Sequence, residues 1–291
     1  MIKKILKRLI ILVLPSLKND LKFMRYLSSF SLDSIKKISC QTETQNYYEN
    51  LYNQGLIGMN YGNGGLIEVS GEKEVIAYIS NKLKYKETLV LFDVGANIGD
   101  YSRALRAGFP ESKSKIYAFE PSQKTFQKLT ENVSGAEIHV FNIGIGSHSG
   151  ELKLYSNSEG SGLASVYNRK LDHFNITLQY EEIIKISTLD DFCEKNKIER
   201  IDFLKLDIEG HELEALNGAK KLLDSKAIQF IQFEFGGCNI DSRTYFQDFF
   251  YLLNKNYTIY RVLQHGLYEI KNYRETLEIF TTINYLAELK S

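Results

Sequence analysis

The sequence predicts an α/β fold: a mostly parallel, doubly wound sheet with helices on both faces. Three observations carry that prediction. In the stretch LVLFDVGANIGD an apolar run, Leu89 to Phe92, stops at Asp93, and Gly95 and Gly99 then bracket a tight turn before a helical segment, Tyr101 to Ala107. β-rich and helical segments go on alternating to the C-terminus, the pattern of strands joined by crossover helices. Finally, four of the strand-like runs end on a polar residue: Asp93, Glu120, Asn142 and Asp207. Open α/β sheets bind ligands beyond the carboxyl ends of their strands, so all four aim at one crevice.

Residues 1–30 are locally basic, with Lys3, Lys4, Lys7, Arg8, Lys18, Lys22 and Arg25 and almost no acid. Ile2, Ile5, Leu6, Leu9 and Leu12 keep helical spacing, but the apolar run Leu9 to Leu14 is far short of the ~20 residues that span a bilayer. Three readings stand: an interfacial helix on an anionic inner membrane surface, a packing or dimerising helix, or a signal sequence without a clear cleavage site. Short helical signals follow to about residue 52. Gly55, Gly58, Gly62, Gly64 and Gly65 mark a loop, and Glu72 to Leu83 reads as an amphipathic helix with Val75, Ile76, Tyr78, Ile79 and Leu83 as its apolar face. Residues 1–86 are therefore expected to form a mainly helical N-terminal extension or cap, and residues 87–291 the principal domain.

The turn after the first strand has the pattern D-x-G-x-x-x-G. A dinucleotide fingerprint would place glycine at position 97, where this chain has Asn. An acid inside the turn also suits a cationic or hydroxyl-bearing ligand better than a pyrophosphate. Lys115 to Phe119 forms a second strand that ends at Glu120, 21 residues after Gly99. An acid at that place binds ribose hydroxyls in doubly wound folds, since a carboxylate can accept two hydrogen bonds from a vicinal diol. Ser122 caps a helix to Asn132, and Ile138 to Phe141 is a third strand. Gly150 to Tyr155 alternates like an exposed strand, residues 157–168 are a polar loop, and Ile183 to Ser187 is a further strand. The run Ile201 to Leu206 leads into Asp207-Ile208-Glu209-Gly210-His211-Glu212 and a helix. Ala227 to Phe235, Tyr257 to Leu263 and Leu277 to Leu286 supply the remaining strands.

Composition excludes several classes. Lys plus Arg (36) equals Asp plus Glu (36), so no overall field favours nucleic acid. Three dispersed cysteines suggest neither a disulfide framework nor a cysteine metal cluster, and they lean towards a reducing cytoplasm. The chain has 19 Tyr, which suit sugar stacking and hydrogen bonding.

Three segments in order, Asp93 to Gly99, Phe119-Glu120-Pro121 and Lys205 to Glu212, resemble the signatures of FkbM-type methyltransferases, which are S-adenosylmethionine-dependent O-methyltransferases. The resemblance runs from about residue 88 to the C-terminus. It implies a Rossmann-like class I methyltransferase sheet of seven strands with the last antiparallel, and a loop at 157–168 lying over the site. It implies that Asp93, Gly95, Asn97, Gly99, Ser102, Glu120, Asn142 and Asp207 bind S-adenosylmethionine. A transferase acting on an alcohol must dispose of the acceptor proton. Asp207, with Glu209, is expected to position donor and acceptor, and His211 or Asp207 to accept the proton. Asp207, Glu209 and Glu234 could hold Mg²⁺ through oxygen ligands. The implied acceptor is a hydroxyl of a sugar in a cell-surface glycan such as an O-antigen. A small secondary metabolite is the alternative, and an NAD-dependent oxidoreductase on a similar sheet is the competing class. The expected setting is the cytoplasm, peripheral to the inner membrane if residues 1–30 bind it, with a homo-oligomer open.

Overall fold

The computed structural model describes residues 41–65, 67–110, 113–158 and 160–290. The expected basic helix at residues 1–30 lies outside these. Among the described residues no helix is long and apolar enough to cross a membrane. Two compact units divide the chain, residues 1–56 and 57–291. Helix α1 spans Gln45–Gly58.

Helix α2 (Glu72–Leu83), read above as part of a cap, belongs to the larger unit. Its Val75, Ile79 and Leu83 pack in one apolar cluster with Leu89 and Leu91 of strand β1 (Thr88–Val94), Phe203 and Phe230. Burying these side chains is what ties the helix to the sheet, at roughly 1.5–3 kcal/mol for each. Even-numbered residues of β1 point the other way, so Phe92 meets Phe192 edge-on from the opposite face.

The main sheet has eight strands. Besides β1 these are β2 (Lys113–Phe119), β3 (Ile138–Phe141), β7 (Ile201–Leu206), β8 (Ile228–Phe235), β9 (Tyr257–Leu263), β10 (Gly266–Glu269) and β11 (Ile283–Leu289). Their spatial order is β10-β9-β11-β8-β7-β1-β2-β3. β1 pairs in parallel with β2 and β7, while β11 enters antiparallel between β8 and β9. This is the seven-stranded class I methyltransferase arrangement with one addition, the edge strand β10, which continues β9 as a hairpin. The last strand begins at Ile283, later than the periodicity suggested, because Glu275–Leu277 turns as a 3₁₀ segment.

The remaining strands form a separate three-stranded sheet. In it β6 (Tyr180–Ser187) lies between β4 (Gly144–Ile145) and β5 (Gly150–Ser156). The apolar residues Leu154, Ile184 and Ile186 of this sheet form their own cluster with Ala164 and Val166. It stands beside the carboxyl ends of β1 to β3 and walls off one side of the crevice.

Candidate active site

The crevice begins where β1 stops. Gly95 and Gly99 have φ of +84° and +93°, values at which only glycine is unstrained. The Gly95 and Ala96 N–H groups both donate to the Phe119 carbonyl, at 3.0 and 2.9 Å. The Asp207 N–H donates to the Val94 carbonyl at 3.0 Å, which joins the glycine turn to the end of β7. Helix α3 (Asp100–Gly108) follows.

Glu120 stands beside this turn. One carboxylate oxygen accepts from the Ser122 N–H at 2.9 Å and the other from the Asn97 N–H at 3.1 Å. Burial pushes the carboxyl up to about 7, although these donors pull it down. Asn142 supports the arrangement from behind, donating to the Glu120 and Pro121 carbonyls at 3.0 and 2.9 Å.

Asp93 and Ser102 do not face the crevice. Ser102 Oγ donates to Asp93 Oδ2 at 2.6 Å, and both side chains are fully buried. Beneath the turn lies a charged network that centres on Lys205. Its ammonium is 2.9 Å from Asp207, 3.9 Å from Asp93 and 3.9 Å from Glu72, and it lies over the Tyr101 ring at 4.5 Å. Burial alone would discharge this lysine, but the three carboxylates together hold it firmly protonated. Tyr101 donates to Gln232, and Gln232 donates to Glu72 and Asn284. Lys205, Glu72, Tyr101 and Gln232 escaped the sequence reading. The signal was present in the run IDFLKL, since a lysine inside an apolar strand is buried only when paired.

The Asp207-to-Glu212 segment is shaped by its own acids. Glu212 accepts from the Ile208 and Gly210 N–H groups at 2.9 and 3.1 Å, and burial pushes it up to about 7. Glu209 adopts φ +52° and pairs with Arg169, another residue not read from the sequence. Burial pushes Glu209 up to about 8, reinforced by Asp207 and opposed by Arg169. His211 Nδ1 lies 3.0 Å from the Tyr167 hydroxyl, and burial lowers its pKa.

Two adjoining cavities open here, and Gly95, Asn97, Gly162, Asp207 and Glu209 line both. The smaller, about 70 Å³, is also lined by Glu120, Pro121, Ile145, Ile186 and His211. The larger, about 760 Å³, runs past Glu72, Lys205 and Glu234 to Glu68 and Lys73. Ser161 and Gly162, from the loop expected over the site, line the smaller one. His211 belongs to the smaller cavity, while Glu234 belongs to the larger.

The Mg²⁺ expectation is not supported. Asp207 is held by Lys205 and Glu209 by Arg169, so two of the three expected ligands already have cationic partners. Among the described residues, the metal-ligating atoms that do lie together belong to Glu209, Glu234 and Cys238, within 4.8 Å of one another. Mg²⁺ prefers an all-oxygen octahedron, and burial has pushed this thiol far up.

The buried carboxyls make stability depend on pH. Glu120, Glu212 and Glu209 have folded pKa values of about 7, 7 and 8, above the ordinary 4.5 of an unfolded glutamate. The folded chain therefore takes up protons that the unfolded chain does not, and acidification stabilises it. His211, whose pKa is lowered, acts oppositely below its ordinary value of 6.5. Thermal unfolding of the ligand-free protein should shift upward as pH falls from about 8 to about 6.5. A midpoint that falls across that window would contradict the burial assigned to these carboxyls.

A family model described as the methyltransferase FkbM domain matches residues 93–261. The hexuronic acid methyltransferase AglP of Haloferax volcanii is 30% identical over 171 residues, covering 58% of this chain and 65% of that protein. The 2-O-methyltransferase NoeI of Sinorhizobium fredii is 25% identical over 144 residues, covering 46% and 58%. The chain thus spans less than two thirds of the length of these relatives. Among solved structures, the methyltransferase FkbM from Methylobacillus flagellatus matches 69% of this chain and 44% of its own, at 19% identity and a TM-score of 0.41.

Proposed function

From the premise that the chain belongs to the FkbM methyltransferase family, we propose that it is an S-adenosylmethionine-dependent O-methyltransferase acting on a sugar hydroxyl of a glycan. The observation that carries this reading is the pair of cavities meeting at Asp207 and Glu209, one with Glu120 on its wall and the other large and lined by six carboxyls and two lysines.

The residues present fit the cofactor. Each Glu120 oxygen accepts one backbone N–H, which leaves lone pairs for a ribose diol. Asn97 Oδ1 is buried without a hydrogen-bond partner among the described residues and would gain one from a bound ligand. Pro121, Ile145 and Ile186 offer an apolar wall for an adenine ring. Gly95 and Asp207 would border the remainder of the cofactor, which when bound supplies an electrophilic methyl group on a cationic sulfur.

The chain's own residues do the rest. Asp207 and Glu209, present in both cavities, are placed to orient the acceptor between them, and alignment of this kind is worth several kcal/mol. Lys205 fixes the Asp207 carboxylate at 2.9 Å, so it meets the acceptor in one orientation. Asp207 accepts the hydroxyl proton in this reading. His211 stands on the cofactor side, where its Tyr167 contact holds the ring. A sugar acceptor is favoured by the name of one relative, a hexuronic acid methyltransferase, and transfer to oxygen by that of another, a 2-O-methyltransferase.

The test is transfer of labelled methyl from S-adenosylmethionine to surface polysaccharide and, separately, to a small-molecule extract. Label in polysaccharide, reduced at least a hundredfold in Asp207→Ala (~3 kcal/mol of barrier), is the expected result. Label confined to the extract would move the acceptor to a small metabolite, and NAD turnover in its place would replace the reaction class.

A further inference from the structure

Six carboxylates line the larger cavity: Glu68, Glu72, Asp100, Asp207, Glu209 and Glu234. Five have partners. Glu68 pairs with Lys73 at 3.5 Å, Asp100 with Arg103, Asp207 with Lys205 and Glu209 with Arg169. Glu72 accepts from Ser70 and Gln232. Glu234 is the exception: its side chain is more than nine-tenths buried, yet its carboxyl has no hydrogen bond or ion pair among the described residues.

The space around Glu234 is kept open by design of the backbone. A Cβ on Gly64 would come within 3.0 Å of Glu234 Oε1 and 2.3 Å of Thr282 Cγ2, so glycine there leaves the carboxyl facing the cavity. The carboxyl is therefore available to exchange hydrogen bonds with whatever enters the cavity. The two lysines on the cavity wall, Lys73 and Lys205, are both already paired with acids.

We propose that the acceptor bound in this cavity is an uncharged, hydroxyl-rich sugar held through Glu234, and that the cavity turns away sugars bearing a carboxylate. The inference rests on the reading of the larger cavity as the acceptor side of a methyltransferase. A sugar hydroxyl donates to Glu234 when the carboxyl is ionised and can accept from it when the carboxyl is protonated, so either state can be matched. A uronate carboxylate would instead enter a wall on which Glu72, Glu209 and Glu234 are already pushed towards their protonated forms, and on which both lysines face acids. The molecule shows that penalty on its own side chain: burial, then Asp207, Glu209 and Glu212, push the Glu234 carboxyl far above its ordinary value, against the pull of Lys205. This specificity would set the chain apart from the relative named as a hexuronic acid methyltransferase.

The experiment compares methyl hexosides with the matching C6-oxidised methyl hexuronosides, using the full chain and S-adenosylmethionine. Acceptor binding is also read by NMR titration in the presence of S-adenosylhomocysteine. The hexoside should be favoured at least about tenfold in both affinity and kcat/KM, the equivalent of one pK unit of charge penalty. Glu234→Ala should raise KM for the hexoside while leaving cofactor affinity unchanged. Glu68→Lys alters an exposed side chain and so tests the charge term without disturbing the core. It should narrow the preference several-fold, a ratio that a purely structural effect would not move. Equal or better use of the uronoside, or a ratio indifferent to Glu68→Lys, would overturn the inference while leaving the methyltransferase reading intact. Failure to methylate any hydroxyl acceptor with the cofactor bound would sink both.

Discussion

Replacing Lys205 with methionine is expected to destabilise the protein by about 3–5 kcal/mol, the usual effect of removing one partner from a buried charge cluster. Methionine fills a similar volume, so the change isolates charge from packing. Lys205 is 3% exposed, and its ammonium lies within 3.9 Å of Asp93, Glu72 and Asp207. Asp93 Oδ1 has no hydrogen-bond partner among the described residues, so the lysine is its chief compensation. Burial and the neighbouring acids already raise the Asp93 and Glu72 carboxyls, and without Lys205 only the hydrogen bonds from Ser102 and Ser70 would oppose that rise. Denaturant unfolding reads the effect directly. The double variant Lys205→Met with Asp93→Asn should recover part of the loss, because the two residues are coupled. A single-variant cost below about 1 kcal/mol would mean that the network is wetter than its burial indicates.

The second large effect is expected at Gly95. A Cβ there would lie 1.8 Å from the Asp207 carbonyl oxygen and 2.8 Å from its carbon, at φ +84°. Neither atom is a flexible side-chain tip, so Gly95→Ala must push the end of β7 away from the turn. Gly135 provides the control: its φ is +77°, but a Cβ would meet nothing within 4 Å. Gly135→Ala should cost only the conformational strain, about 1–2 kcal/mol. Gly95→Ala should cost more than about 3 kcal/mol, strain plus displacement. It should also weaken S-adenosylmethionine binding, whereas Gly135→Ala should not. Equal costs for the two variants would show that the turn and Asp207 are not locked together.

The main sheet was legible because its strands are buried on both faces and end abruptly. Phe119-Glu120 and Leu206-Asp207 each switch from apolar to acidic in one step where a strand ends; Phe92-Asp93 switches one residue early, since β1 runs on to Val94 and Asp93 is buried within it. The antiparallel insertion of β11 was implied by the family resemblance, not by its own residues. The separate sheet β4-β6-β5 was not foreseen, since Gly144–Ile145 is too short to carry a period. Helix α2 was read as amphipathic, but amphipathicity does not say which surface a helix covers, and it covers the main sheet.

The site was legible to the depth of single strands. Glu120 and Asp207 were placed at the crevice by position alone, and both line it. Asp93, Ser102 and Asn142 were read as cofactor residues, but they sit behind the lining and hold its parts in place. Whether a strand-end side chain points into the crevice or under it depends on turn geometry, which spacing does not encode. Lys205, Glu72 and Gln232 come from three separate elements, and Arg169 reaches Glu209 from a loop 40 residues earlier. Such pairings exist only once the sheet has been assembled.

Calorimetric titration of S-adenosylmethionine into the ligand-free chain, with Glu120→Ala measured alongside, tests the central claim most directly. One site per chain is predicted, weakened at least tenfold by Glu120→Ala as about two hydrogen bonds to a carboxylate are lost, with no heat from NAD. Binding of NAD in its place, or S-adenosylmethionine affinity indifferent to Glu120→Ala, would contradict the assignment of the smaller cavity and the donor chemistry built on it.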